Sequence, residues 1–189
     1  MVSVVSVEES EKKLKRFLCP LAFNTTGIKG KPLKDILQDQ KIPMIFFDNR
    51  NDSDALYAHF GVVLQGLEDV QLMESTTRTT TSSRKFLNRL AKCIEQSGLD
   101  NRDLKSWKLA KEKGERLFKP ELGGSYDVFE QRPICNEIIS YWVGDVQHLP
   151  KLWRKFHSRT NRWRDLVNEE TKKPVEASQT PELPTSRAG

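Results

Sequence analysis

The run Pro43-Met-Ile-Phe-Phe-Asp48 constrains this chain more than any other segment. Consecutive apolar residues bounded by proline and by turn-forming polar residues leave no side of the segment for water. The run therefore reads as a strand buried on both faces, central or parallel in its sheet. Asn51-Asp-Ser-Asp54 follows it with N-capping chemistry. Ala55, Leu56, His59 and Phe60 then give a one-sided helix that Gly61 stops. Val62–Leu72 holds a second short strand and the start of another helical turn. Strand, helix, strand and then several helices is the order of an α/β domain.

The remaining punctuation is consistent with that class. Pro32-Leu-Lys-Asp-Ile-Leu37 reads as a short helix with proline near its start. Thr76–Ser83 reads as a polar loop, and Phe86, Leu87, Leu90 and Ile94 as a helix closed by Gly98. Residues 102–119 carry seven basic and three acidic residues around Trp107, Leu109 and Leu117, a charged and mostly exposed helix or loop. Gly123-Gly124 is a turn. Beyond Pro133 an apolar helical pattern runs from Ile138 to Phe156, and Pro150 inside it predicts a kink or break. From about Asn168 onward Pro174, Pro181 and Pro184 lie among Ser, Thr and Glu, the composition of a segment that buries too little apolar surface to order itself. The expected organisation is a divergent or disordered segment 1–21, a domain over 22–165 and a disordered tail over 166–189.

At 189 residues the chain has length for one domain with a sizeable core. Its mean hydropathy is −0.62, its net charge +5 and its pI about 9.1, a balance compatible with a polyanionic partner. Cys19, Cys93 and Cys135 are far apart and no Cys-x-x-Cys occurs, which argues against a zinc site or disulfide framework and for a reducing, intracellular compartment, nuclear or cytoplasmic. No apolar run has transmembrane length, and the N-terminus lacks the basic and apolar regions of a secretion signal.

Two places carry candidate chemistry. Tyr141 and Asp145 are spaced four apart in a helical segment and share one face. A carboxylate there suits a divalent cation, and a phenol one turn earlier suits the orientation of a water. The second place is the acidic group Asp48, Asp52 and Asp54 at the end of the first strand, where α/β sheets bind ligands and where helix capping is the plainer role. A third segment, Lys151–Arg164, has six Lys/Arg and no acid, with Trp153, Phe156 and Trp163 interleaved. Either Lys151, Arg154, Lys155, Arg159 and Arg162 track a phosphate backbone beside stacking aromatics, or the aromatics continue the core stripe and the cations are its solvated face.

Taken in order, Phe47–Gly61, Leu67–Met73, Arg132-Pro133 and Tyr141-x-x-x-Asp145 resemble the 3′–5′ exonuclease domain of the ribonuclease D type, in the DEDD subclass with a tyrosine in its third motif. The resemblance runs from about Phe23 to Phe156. It implies a ribonuclease H-like α/β fold, a mixed sheet flanked by helices, and nucleic acid, DNA or RNA, as partner. It implies hydrolysis by two Mg²⁺ or Mn²⁺ ions held on carboxylates. It puts the second-motif carboxylate on Asp52, with Asp54 as neighbouring alternative, and the third motif on Tyr141 and Asp145.

One departure weighs against catalysis. The family's first motif, Asp-x-Glu, occurs nowhere in this sequence. In the family it precedes the part matched here by Ala22–Gly27, and the only carboxylates ahead of that point are Glu8, Glu9 and Glu11 in a hydrophilic run. The expectation is an N-terminally incomplete fold with weak or absent activity, the alternative being a non-catalytic module that binds nucleic acid or a protein. The Met44–Phe47 strand would then keep an open edge that invites association, and Asp52 and Asp145 would meet at its carboxyl end.

Overall fold

The computed structural model describes residues 30–157 and 161–180. In chain order the elements are α1 (Leu33–Leu37), β1 (Met44–Phe46), α2 (Arg50–Phe60), β2 (Leu67–Asp69), α3 (Val70–Thr77), α4 (Thr81–Arg84), α5 (Leu90–Glu95), α6 (Asn101–Phe118), α7 (Asn136–Val146), α8 (Leu149–Phe156) and α9 (Asn161–Ser178). Two 3₁₀ turns, Pro120–Leu122 and Tyr126–Phe129, join α6 to α7. No described helix is long and apolar enough to cross a membrane.

β1 and β2 are parallel, with Met44 opposite Leu67, Ile45 opposite Glu68 and Phe46 opposite Asp69. A parallel pair needs a crossover, and α2 supplies it. Gly61, at φ 57°, ends α2 in the left-handed region that glycine adopts without strain. The apolar run does serve two faces. Met44 and Phe46 pack with the cluster of Leu56, Val62, Leu64 and Val175. Ile45 and Phe47 pack with the larger cluster that includes Val70, Met73, Ile94, Trp107, Leu152 and Phe156. Alternation along a strand sends neighbours to opposite faces, so an apolar residue is required at every position. The strand residues are half-buried rather than fully enclosed. Among the described residues the mixed sheet is represented by this parallel pair alone, and β1 is paired on one side only. The segment 1–21, the Ala22–Gly27 match and residues 181–189 lie outside the described residues.

Three expectations need correction. The tail expected to be disordered from 166 is helical through Ser178, and Val167, Thr171 and Val175 are buried at 6%, 1% and 6% exposure. Val167 joins the larger core and Val175 the smaller one, so α9 ties both clusters together. The helix expected to include Phe86 and Leu87 begins only at Leu90, which leaves those two exposed. The Asn51–Asp54 run does not cap α2. Asn49 stands at the N-cap without a side-chain cap, and its amide donates instead to the Thr171 carbonyl at 3.2 Å. By contrast, the break expected at Pro150 is present, because α7 ends at Val146 and α8 starts at Leu149 with the proline in its first turn.

Candidate active site

Tyr141 and Asp145 do share a face of α7, and α6 is what holds them. The two helices approach at glycines. A Cβ placed on Gly114 of α6 would lie 2.5 Å from the Tyr141 Cβ, so the tyrosine sits directly against the α6 backbone. Near the other end, the Trp107 indole donates to the Gly144 carbonyl at 3.1 Å. Phe118 meets the Tyr141 ring edge-on at 5.3 Å. Burial, then the charges of Asp145 and Glu115, push the Tyr141 pKa up, so the phenol stays neutral beside the Asp145 carboxylate. Lys111 completes the group. Its ammonium is 3.0 Å from Asp145 Oδ1 and 4.8 Å from the Tyr141 ring centroid. The carboxylate therefore already has a cation on it.

Asp52 belongs to a different group. It lies in the first turn of α2, half-buried, while Asp54 two residues on is exposed. Burial raises the Asp52 pKa, and the charges of Asp48 and Asp69 raise it further. Asp48 has φ 63°, unusual for a non-glycine residue, and binds the Arg50 guanidinium through both oxygens at 2.6 and 2.7 Å. Asp69 is 2% exposed and accepts from four backbone N–H groups, those of Asp48, Asn49, Gln71 and Leu72. A cavity of about 450 Å³ opens here at the carboxyl ends of both strands, lined in part by Asp48, Asn49, Asp54, Asp69 and Lys173.

A carboxylate held against its preference lowers stability, and such carboxylates cluster at functional sites. A raised folded-state pKa means that the native form binds a proton more readily than the unfolded chain. Stability then falls as pH rises from the unfolded value of about 3.9 through the raised one. Asp52→Asn is accordingly expected to raise the melting temperature at pH 7, with the gain shrinking as the pH approaches 4. A variant less stable than the parent at pH 7 would contradict this.

The basic segment resolves mostly toward packing. Phe156 is buried in the core, and Trp153 stacks on His157 at 4.1 Å while donating to Glu68 at 2.9 Å. Lys151 donates to the Gly98 carbonyl at 3.3 Å and Lys155 to that of Gln96, so two of the cations sit at the C-terminal end of α5. Arg154 is exposed. Arg159 lies outside the described residues, and Arg162 is described only as a position on α9.

Among the described residues no hydrogen bond, ion pair or charge interaction joins Asp52 to Asp145, and no group of three His, Cys, Asp or Glu is arranged to hold a metal. Carboxylates are the right donors for Mg²⁺ or Mn²⁺. With Asp145 paired to Lys111 and no third carboxylate beside it, however, the described residues do not by themselves fit a two-cation site. The sequence reading missed Lys111 and Asp69. Lys111 is one of seven cations in its segment and carried no distinguishing signal. Asp69 directly precedes a helical turn, which is the pattern of an N-cap.

Comparison with known proteins agrees with this architecture. Two solved structures of Trypanosoma brucei RNase D match, one in complex with GMP at TM-score 0.60 and one without it at 0.58, each 22% identical over 78% of this chain. The matches span 43% and 48% of those chains, less than half of their length. At this identity the likeness establishes the fold, which is the ribonuclease H-like α/β fold. Comparison with curated proteins gives no match. Residues 18–161 match the 3′–5′ exonuclease family, whose members generally use divalent metal ions. With three-quarters of its length so matched, and with the Tyr141–Asp145 pair built on one helix face, the chain belongs to the 3′–5′ exonuclease domain family.

Proposed function

We propose that this chain is a ribonuclease D-type domain that binds nucleic acid and hydrolyses 3′ ends weakly or not at all. The observation that carries the reading is the state of Asp145. Its carboxylate is paired with Lys111 at 3.0 Å, beside the neutral Tyr141 phenol, while Asp52 interacts with Asp48 and Asp69 instead. The missing Asp-x-Glu supports the same reading. Two divalent cations carry four positive charges, and Asp52 with Asp145 supplies two negative ones, a deficit that hydrogen-bonded water does not neutralise. In active members of the family Mg²⁺ or Mn²⁺ supplies the activated water. Here the residues that would act on that chemistry are Tyr141, orienting a water, and Asp145 and Asp52, offering carboxylate oxygens.

The GMP in the T. brucei structure is a mononucleotide of the kind released from a 3′ end, which is consistent with nucleic acid as partner. Free thiols at Cys93 and Cys135 favour an intracellular setting, nuclear or cytoplasmic. A 3′-labelled oligonucleotide incubated with Mg²⁺ or Mn²⁺ tests the reading. Label release at or near background is expected. Rapid metal-dependent release that Asp145→Ala abolishes would show a working active site instead.

A further inference from the structure

The connection between α3 and α5 belongs to neither candidate group; the sequence makes Thr76–Ser83 a polar loop and places Phe86 on the helix after it. From Ser75 on α3 to Ile94 on α5 there is no acidic residue; the connection carries Arg78, Arg84, Lys85 and Arg89, and α5 carries Lys92. The connection is braced in one geometry. The Arg78 guanidinium pairs with Glu74, whose side chain is only 6% exposed, and donates to the carbonyls of Ser83 and Phe86. Asn88 donates to Glu74 at 3.1 Å, and Gln71 to the Asn88 carbonyl at 3.0 Å. Such a buried ion pair with its hydrogen bonds satisfied fixes a conformation more than it adds stability.

On this braced loop Phe86 projects outward at 74% exposure, with the Lys85 ammonium 5.5 Å from its ring centroid. A large ring held in water on a fixed backbone has no packing role in the fold. Lys85, Arg89 and Lys92 are exposed, and no ion pair among the described residues occupies them. This is the opposite of α8, where Lys151 and Lys155 reach back to backbone carbonyls. Exposed cations without an ion-pair partner, on the same stretch of chain as an exposed aromatic, match a polyanion with stackable faces. A purely anionic partner would leave the ring unused, and an apolar one would leave the cations unpaired.

We propose that the Arg78-braced loop and the start of α5 form a docking surface for single-stranded nucleic acid, with a base stacked on Phe86 and phosphates on Lys85, Arg89 and Lys92. The inference rests on the nucleic-acid reading above and names a surface for it.

The test is fluorescence anisotropy of the full chain with labelled oligo-dT and oligo-U across a salt series. Phe86→Ala is expected to weaken binding about fivefold or more, the loss of one base stack. Replacing Lys85, Arg89 and Lys92 together by alanine is expected to reduce the slope of log affinity against log salt by about two. All four side chains are exposed, so the melting temperatures of both variants are expected to match the parent. Parent-like binding by both variants overturns this surface alone, and no binding by the parent overturns it together with the nucleic-acid reading. If Phe86→Ala changes only the sedimentation behaviour of the chain, the loop is a protein interface and the proposal fails.

Discussion

Asp69→Ala is expected to cost about 3 kcal/mol of unfolding free energy, because several buried N–H groups lose their acceptor in one change. The carboxylate accepts from the N–H groups of Gln71 at 2.8 Å, Leu72 at 3.3 Å, Asn49 at 3.3 Å and Asp48 at 3.4 Å. The first two open α3, and the last two form the turn between β1 and α2. One side chain thus joins the ends of both strands to the helices that follow them. Burial pushes the Asp69 pKa up while the four N–H donors oppose it. Asn keeps one acceptor oxygen of the same shape, so Asp69→Asn is expected to lose roughly half as much. In a domain of this length each kcal/mol moves the melting temperature by roughly 2–4 °C. Urea denaturation of the two variants beside the parent decides the matter, and an alanine variant that melts with the parent would show that water replaces the carboxylate freely.

Gly114→Ala is expected to destabilise by about 2 kcal/mol, against the usual direction for this exchange in a helix interior. Alanine at an unhindered helical position gains about 1 kcal/mol over glycine. Here the new methyl would sit 2.5 Å from the Tyr141 Cβ and 2.8 Å from its Cγ. The obstructing atoms adjoin the α7 backbone and cannot rotate away, so the helices must separate, and overpacking of this kind costs about 1–3 kcal/mol or more. Gly144 provides the contrast. Its nearest foreign atom is the Trp107 Cδ1 at 3.3 Å, a ring edge that can shift by a few tenths of an ångström. Gly144→Ala is therefore expected to lie near neutrality. Near-ultraviolet circular dichroism reports the packing of Tyr141 and Trp107 directly. A Gly114→Ala protein with the parent spectrum and a higher melting temperature would refute the close approach.

How legible the fold was depended on how local its cause is. The apolar run Met44–Phe47 requires two covered faces, and the structure supplies two clusters on alternate sides of it. Gly61 and Pro150 act through their own backbone dihedrals, so a helix end and a helix break could be read directly at those positions. The spacing of Tyr141 and Asp145 places both side chains on one face of any helix, whatever surrounds it.

Contacts between distant segments decided the rest. Residues 166–178 have a disordered composition and a proline at 174, yet Val167 and Val175 dock on two separate clusters and the Thr171 carbonyl receives the Asn49 amide. Burial against surfaces that lie far away in sequence outweighs local propensity there. By sequence Trp153 and Phe156 suit either stacking on bases or filling the core, and only the neighbours of α8 distinguish the two. Lys111 was one charge among many until α6 was packed on α7, which brings its ammonium onto Asp145. The sequence by itself determined the first strand, the helix end at Gly61, the break at Pro150 and the shared face of the tyrosine and aspartate, because those follow from backbone geometry and period. The tertiary structure alone decided what each carboxylate is bonded to, because an ion pair or a buried acceptor depends on which distant side chain the fold delivers within hydrogen-bonding distance.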